Sequence, residues 1–147
     1  MLKFVSNSEQ DTEKAAERIA EKLVPGDVIA YVGGLGAGKT AFTRGLARGL
    51  GCDGTVTSPT FAIVNRYEGK IPLNHFDMYR IDGFDSLYSI GFFDYLDEYS
   101  ICAIEWSENI TEYLPENTIY IEIRRVDDNV REITVTGDDR FADNIGD

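Results

Sequence analysis

An α/β architecture, a central mixed sheet flanked by helices in three layers, is predicted by three observations. The β-branched run Val28-Ile29-Ala30-Tyr31-Val32 leads into a glycine-rich stretch, Gly33 to Thr40, and a helix-compatible segment follows it. A second wholly apolar run, Ile101-Cys102-Ala103-Ile104, has the composition of a buried strand. The last third alternates Ile119, Ile121, Ile123 and then Val130, Ile133, Val135 around Asp127-Asp128-Asn129, the pattern of an antiparallel hairpin. With 147 residues, 43% of them hydrophobic, the chain has the size of one domain and can bury a core without covalent staples. We place that domain over residues 1–136 and expect 137–147 to be an acidic, mobile tail.

Leu2 to Val5 reads as a first strand. Asn7, Ser8 and Asp11 then offer N-caps for a helix over Thr12 to Leu23, with Ala15, Ala16, Ile19, Ala20 and Leu23 at helical spacing. Glu13, Glu17 and Glu21 with Lys14, Arg18 and Lys22 are expected on its solvated face as i,i+4 pairs. Pro25-Gly26 breaks that helix. A second helix is predicted over Lys39 to Leu50, and a loop over Gly51 to Ser58. Thr60 to Tyr67 and Ile71 to Phe76 read as two strands joined by the turn Glu68-Gly69-Lys70. Short helices over Asp85 to Ile90 and Phe92 to Leu96, split by Gly91, precede the Ile101 to Ile104 strand, and Glu108 to Leu114 is a helical stretch closed by Pro115.

No run of about 18 apolar residues exists, and the start lacks the long apolar stretch of a signal peptide, so a cytoplasmic protein with no membrane partner is expected. Cys52 and Cys102 lie far apart and are expected to be reduced, packed thiols. A net charge of −12, from 26 acidic and 14 basic residues, would repel a phosphate backbone, so unaided nucleic-acid binding is not expected. The same acidity suits either docking on a basic patch of a partner or a plain solvated surface.

The chemistry starts from Gly33 to Thr40, which fits the phosphate-binding spacing G-x-x-x-x-G-K-[ST] at every fixed position. Backbone N–H groups of Gly36, Ala37, Gly38, Lys39 and Thr40 can converge on phosphate oxygens at the positive end of the following helix, and the candidate nucleotide-contacting set runs on to Ala41. Lys39 supplies a point charge for the outer phosphates, and the Thr40 hydroxyl a ligand for Mg2+. Glu105, ending its apolar strand, sits where a parallel-sheet residue would face the loop. Asp77 ends Leu73-Asn74-His75-Phe76 and is a candidate to hold the metal, orient a water or act as base. His75, the only histidine, reads as a strand residue hydrogen-bonded in or near the core, and Trp106 as either a neighbour of bound nucleotide or a packed indole. No Asn/Thr-Lys-x-Asp sequence reads guanine, which favours adenine, with Glu9 or Gln10 as candidates for the base edge. Three readings stay open on residues alone: a hydrolysing ATPase, a small-molecule kinase, and a switch module that binds nucleotide without hydrolysing it. The kinase would want an arginine-bearing lid, and the candidate lid Gly83 to Tyr99 contains no arginine or lysine.

Taken together, Leu35-Gly36-Ala37-Gly38-Lys39-Thr40, Ser58-Pro59-Thr60-Phe61, His75-Phe76-Asp77-Met78-Tyr79-Arg80 and Ile104-Glu105-Trp106, in this order and at these intervals, closely resemble the TsaE family. These are the small ATPases of bacterial tRNA threonylcarbamoyladenosine synthesis, and the resemblance runs from about Phe4 to Val135. It implies a P-loop NTPase-like fold, ATP/ADP and Mg2+ as cofactors, and action through the TsaD and TsaB subunits, with hydrolysis supporting their turnover rather than transferring the threonylcarbamoyl group. By motif, Lys39 and Thr40 match the phosphate and magnesium residues, Glu105 the Walker B acid and Asp77 an acid needed for activity. Ser58 to Thr60 and His75 to Arg80 match nucleotide-sensing segments, with Thr60 on the phosphate side, and Glu108 matches a position near the nucleotide. Gly34 stands where the family commonly has Asp, which loosens any side-chain role there and leaves the backbone cradle untouched.

Overall fold

Seven strands form one mixed sheet in the order β1-β7-β6-β2-β5-β4-β3. They are β1 (Leu2–Ser6), β2 (Val28–Val32), β3 (Val64–Tyr67), β4 (Leu73–Asp77), β5 (Ile101–Glu105), β6 (Ile119–Arg125) and β7 (Arg131–Thr136). The computed structural model of the chain describes residues 1–33, 38–53, 64–81 and 83–141. The expected sites at Gly36, Ala37 and Thr60, and the Ser58 to Phe61 segment, lie outside the described residues. Strands β4, β5, β2 and β6 run parallel, while β3, β7 and β1 join through antiparallel pairs. The parallel centre carries the continuous apolar runs that a strand covered on both faces requires.

Successive residues alternate between two cores. Ile29 and Tyr31 of β2, Ile101 and Ala103 of β5 and Leu73 of β4 pack on the α1 (Glu9–Ala20) and α2 (Lys39–Gly49) side. Val28, Phe76, Cys102 and Ile104 point the other way, onto α3 (Phe84–Ser89), α4 (Phe92–Tyr95) and the 3₁₀ segment Ser107–Tyr113 through Leu87, Phe92 and Ile110. Helices on both faces of a mixed sheet make the three layers that the sequence predicts.

Several boundaries differ from expectation, each for a local reason. The first helix starts at Glu9 rather than Thr12, because the Ser8 side chain accepts the Asp11 N–H (3.0 Å) and caps there. It ends at Ala20, and the amides of Lys22 and Leu23 make tighter bonds to Ile19 and Ala20. Ile71 is not yet in its strand, since its N–H bonds the Leu50 carbonyl (3.1 Å) at the end of α2. The expected solvated face of α1 is partly an interhelical seam: Glu13 pairs with Arg44 and Arg48, and Glu17 with Arg48. The seam is close because of Gly45, where a Cβ would lie 2.2 Å from the Glu13 carbonyl oxygen. Gly45→Ala is therefore expected to destabilise the protein by about 1–3 kcal/mol, read as a lower urea midpoint.

The expected mobile tail is also corrected at its near end. Residues 137–141 are anchored at their end: Gly137 and Asp139 are exposed, but Phe141 is fully buried in the α1/α2 core and Arg140 grips Asp27 with two bonds of 2.8 Å. Residues 142–147 lie outside the described part of the chain. No helix among the described residues is long and apolar enough to cross a membrane.

Candidate functional site

The carboxyl ends of β2, β5 and β4 meet on one edge of the sheet, where the chain leaves β2 for α2 and the strand order changes direction, the usual place for a crevice in such sheets. Gly33 closes β2 with φ +129°, and a Cβ there would sit 2.8 Å from the Ile123 carbonyl oxygen, so only glycine fits. Gly38 reopens the chain as the N-cap of α2 in the left-handed region, φ 104°. It has room for a methyl group, 3.8 Å from the nearest atoms, so its requirement is conformational. Lys39, Thr40 and Ala41 follow as the first turn of an 11-residue helix whose leading N–H groups have no partner within the helix.

That first turn is anchored from beneath. The Thr43 hydroxyl donates to the Lys39 carbonyl (2.8 Å), which leaves the fully buried Tyr31 hydroxyl to donate to Thr43 Oγ1 (2.6 Å). Burial pushes the Tyr31 phenol far above its ordinary range, with the charge of Glu105 adding to the effect, so it stays a neutral donor. The Lys39 side chain is only 7% exposed and lays its amine 5.6 Å from the centre of the Trp106 ring. Trp106 is the one non-glycine residue with positive φ (60°) among the described residues. The Ser107 hydroxyl fastens the next residue to the Tyr31 carbonyl (3.0 Å), and the Tyr79 ring meets the indole edge-on at 5.0 Å.

Asp77 and Glu105 are register partners on adjacent parallel strands. Glu105 reaches the cleft with a hydrogen bond to fully buried His75, Nε2 to Oε2 2.6 Å. Because His75 Nδ1 has no partner among the described residues and Glu105 is an acceptor, Nε2 is the donor that holds the carboxylate. The Asp77 carboxylate accepts the Tyr79 N–H (2.9 Å).

A cleft of about 650 Å³ opens over this edge. Its described lining comes from three places: Ser8, Glu9, Gln10 and Thr12 at the start of α1; Gly38 to Ala41 and Arg44 on α2 with Glu105; and Asp128, Asn129 and Arg131 from the β6–β7 turn. Of the expected site residues, the structure thus gathers Glu9, Gly38, Lys39, Thr40, Ala41 and Glu105. Asp77 lies beside Glu105 and is not among the described lining, and Glu108 is exposed on the 3₁₀ segment, also outside that lining. Arg44, Asp128, Asn129 and Arg131 were not anticipated. The Arg131 guanidinium stiffens its turn by donating to the carbonyls of Asp127 (2.8 Å) and Val130 (3.1 Å). The signal that would have found this wall is the parallel pairing of β6 with β2, which brings the turn after β6 to the same edge as the glycine loop.

Chemically, the cleft joins the N-terminus of α2, the Lys39 amine, the Thr40 hydroxyl and the Glu105 carboxylate, with Arg44 and Arg131 adding positive charge and Glu9 and Asp128 negative charge at its other walls. Among the described residues no group of three or more His, Cys, Asp or Glu side chains is placed to hold a metal ion alone. A donor set of one hydroxyl and one carboxylate fits a magnesium ion that arrives with phosphate oxygens and completes its shell with them and water.

Comparison with known proteins gives a consistent set of likenesses. The family model described as Threonylcarbamoyl adenosine biosynthesis protein TsaE matches residues 6–133. The protein named tRNA threonylcarbamoyladenosine biosynthesis protein TsaE from Treponema pallidum is 40% identical over 134 residues, 91% of this chain and 99% of that protein. Its namesake from Bacillus subtilis is 41% identical over 136 residues, 92% of this chain and 85% of that protein. The crystal structure of YdiB from Bacillus subtilis matches with a TM-score of 0.75 at 37% identity, covering 95% of this chain and 88% of that one.

Proposed function

The chain belongs to the TsaE family, and from that premise we propose that it serves tRNA threonylcarbamoyladenosine biosynthesis as a cytoplasmic ATP-binding and ATP-hydrolysing accessory subunit, acting through the TsaD and TsaB proteins. The observation that carries the chemical part is the meeting of Lys39 and Thr40, on the first turn of α2, with Glu105 in one cleft.

In this reading the N-terminus of α2, with Gly36 to Ala41, cradles the phosphates, and Lys39 leaves the indole of Trp106 to neutralise the outer ones. The Thr40 hydroxyl and the Glu105 carboxylate hold Mg2+, directly or through water. When bound, the ion draws charge from the phosphate oxygens. His75 fixes one oxygen of Glu105, leaving the other to face the cleft. Asp77 orients or deprotonates the attacking water, and Glu9 at the start of α1 meets the nucleoside end. Thr60 and Glu108 keep the roles that the resemblance implies, near the phosphates and the nucleotide. Asp77 is tied to the Tyr79 amide and stands off the described cleft wall, so hydrolysis by the chain alone is expected to be slow until a partner shifts the turn after β4.

The deciding experiment is phosphate release from Mg-ATP with and without TsaD, TsaB and tRNA. Stimulation by the assembly supports the proposal, and a phosphorylated small molecule without free phosphate would favour a kinase instead. Asp77→Ala is expected to lower turnover by about 100-fold with nucleotide affinity kept, measured by phosphate release beside calorimetric binding. Unchanged hydrolysis would remove Asp77 from the mechanism.

A further inference from the structure

Away from the cleft, α3 and α4 leave an unusual surface. Each helix spends its large apolar residue inward, Leu87 and Phe92 being fully buried against Phe76 and Ile104. The residues on their other side are aromatic too, and they are not covered: Phe84 is 50% exposed, Tyr88 71% and Phe93 36%. These rings converge. The Phe84 centroid lies 5.6 Å from Phe93, 6.0 Å from Tyr113 and 6.1 Å from Tyr88, so one half-exposed ring touches three others. Single exposed apolar residues need no explanation, but a contiguous aromatic patch does, because its hydration is a standing cost that only a partner can relieve.

The charged residues that α3, α4 and the 3₁₀ segment contribute are all acidic. Asp85 and Asp94 stand on the same two helices, and Glu112 precedes Tyr113. The Tyr113 phenol is held above its ordinary range first by partial desolvation and then by Glu112, with Asp85 contributing. No lysine or arginine occurs between Arg80 and Arg124. A surface of aromatic rings with acidic residues beside it is matched by an apolar hollow bordered by lysine or arginine, and those acids disfavour a second copy of the same surface. The patch is also joined to the nucleotide cleft. Tyr113 ends the 3₁₀ segment that starts after Trp106, and in that segment Asn109 donates to the carbonyls of Met78 (2.9 Å) and Tyr79 (3.3 Å), just beyond Asp77.

We propose that the aromatic cluster of exposed Phe84, Tyr88 and Phe93 with half-buried Tyr113, flanked by Asp85, Asp94 and Glu112, is the docking surface for a protein partner that presents an apolar hollow edged by basic side chains. The proposal rests on the reading above that the chain works through partner proteins, and it names where they are met. Arrival of a partner here reaches the cleft through the 3₁₀ segment and the turn after β4.

The test is titration of the full chain against purified TsaD–TsaB assembly by calorimetry at low and moderate salt, using wild type, Tyr88→Lys and the pair Asp85→Lys with Asp94→Lys. Tyr88 and both aspartates are exposed, so the variants fold, and unchanged affinity for ADP in the isolated chain serves as the control. Each variant is expected to bind the assembly at least about tenfold more weakly, and raising salt should weaken wild type more than the aspartate pair. Wild-type affinity in both variants would overturn the docking surface while leaving the proposed function standing. No binding by wild type would overturn the partner assignment itself. Sedimentation that shows a wild-type dimer abolished by Tyr88→Lys would assign the patch to a second copy and also overturn the proposal.

Discussion

Lys39→Ala is expected to weaken ATP and ADP binding by about 100-fold or more and to abolish measurable hydrolysis while the protein remains folded. A charge-assisted hydrogen bond to phosphate contributes about 1.5–3 kcal/mol, and a lysine that reaches two phosphate groups makes more than one, so a loss near 3 kcal/mol is the conservative figure. The fold survives because Lys39 makes no ion pair among the described residues. Its visible attachment is the contact with Trp106, worth about 0.5–1 kcal/mol, and α2 keeps its anchorage through Thr43 and Tyr31. The chain's single tryptophan supplies the assay. When the amine leaves the indole for a phosphate, Trp106 fluorescence changes, and in Lys39→Ala the nucleotide-induced change should vanish together with the calorimetric heat. An ADP affinity within twofold of wild type would exclude Lys39 from phosphate binding.

The parts of this fold that could be read from the chain are those decided locally. The apolar run of β2, the glycines and the helix of Lys39 onward are contiguous, and the alternation in β6 and β7 needs nothing beyond its own two strands. What could not be read depends on register and on distant partners. Glu13 looks like a solvated helix acid until α2 brings Arg44 and Arg48 to it across the Gly45 approach. His75 was legible as a buried, hydrogen-bonded strand residue. That its partner is Glu105 follows only from β4 lying parallel beside β5, which also makes Asp77 and Glu105 neighbours. The cleft wall of Asp128, Asn129 and Arg131 reads in sequence as an ordinary hairpin turn, because nothing local says that β6 runs parallel to β2. The tail was misread for a related reason: one aromatic and one arginine in an acidic background give no periodic signal, yet Phe141 fills a place in the α1/α2 core and Arg140 meets buried Asp27.

That last pairing carries the second large effect. Phe141→Ala is expected to destabilise the protein by about 3–5 kcal/mol, the usual cost of emptying a fully buried aromatic site. Arg140→Ala is expected to cost about 3 kcal/mol, because Asp27 is 4% exposed and would keep only its bond from the Val24 amide (2.7 Å) once both guanidinium bonds are lost. The two losses should fall short of additive, since the guanidinium also lies over the Phe141 ring at 5.8 Å. Arg140→Lys should recover only part, as a single ammonium cannot reproduce the two-pronged grip. The pair also sets an acid response. Arg140 holds the Asp138 carboxyl down to about 2, below its ordinary value of 3.8. A carboxyl depressed in the folded state adds stability above its ordinary pKa and loses it as pH falls towards the folded value, so the contribution disappears between about pH 4 and pH 2. Urea midpoints taken down through that range should draw closer for wild type and Arg140→Ala by the Asp138 share, leaving the part that Asp27 contributes. A chain ended at Thr136 that kept the wild-type midpoint at neutral pH would return these residues to the mobile tail that their composition suggests.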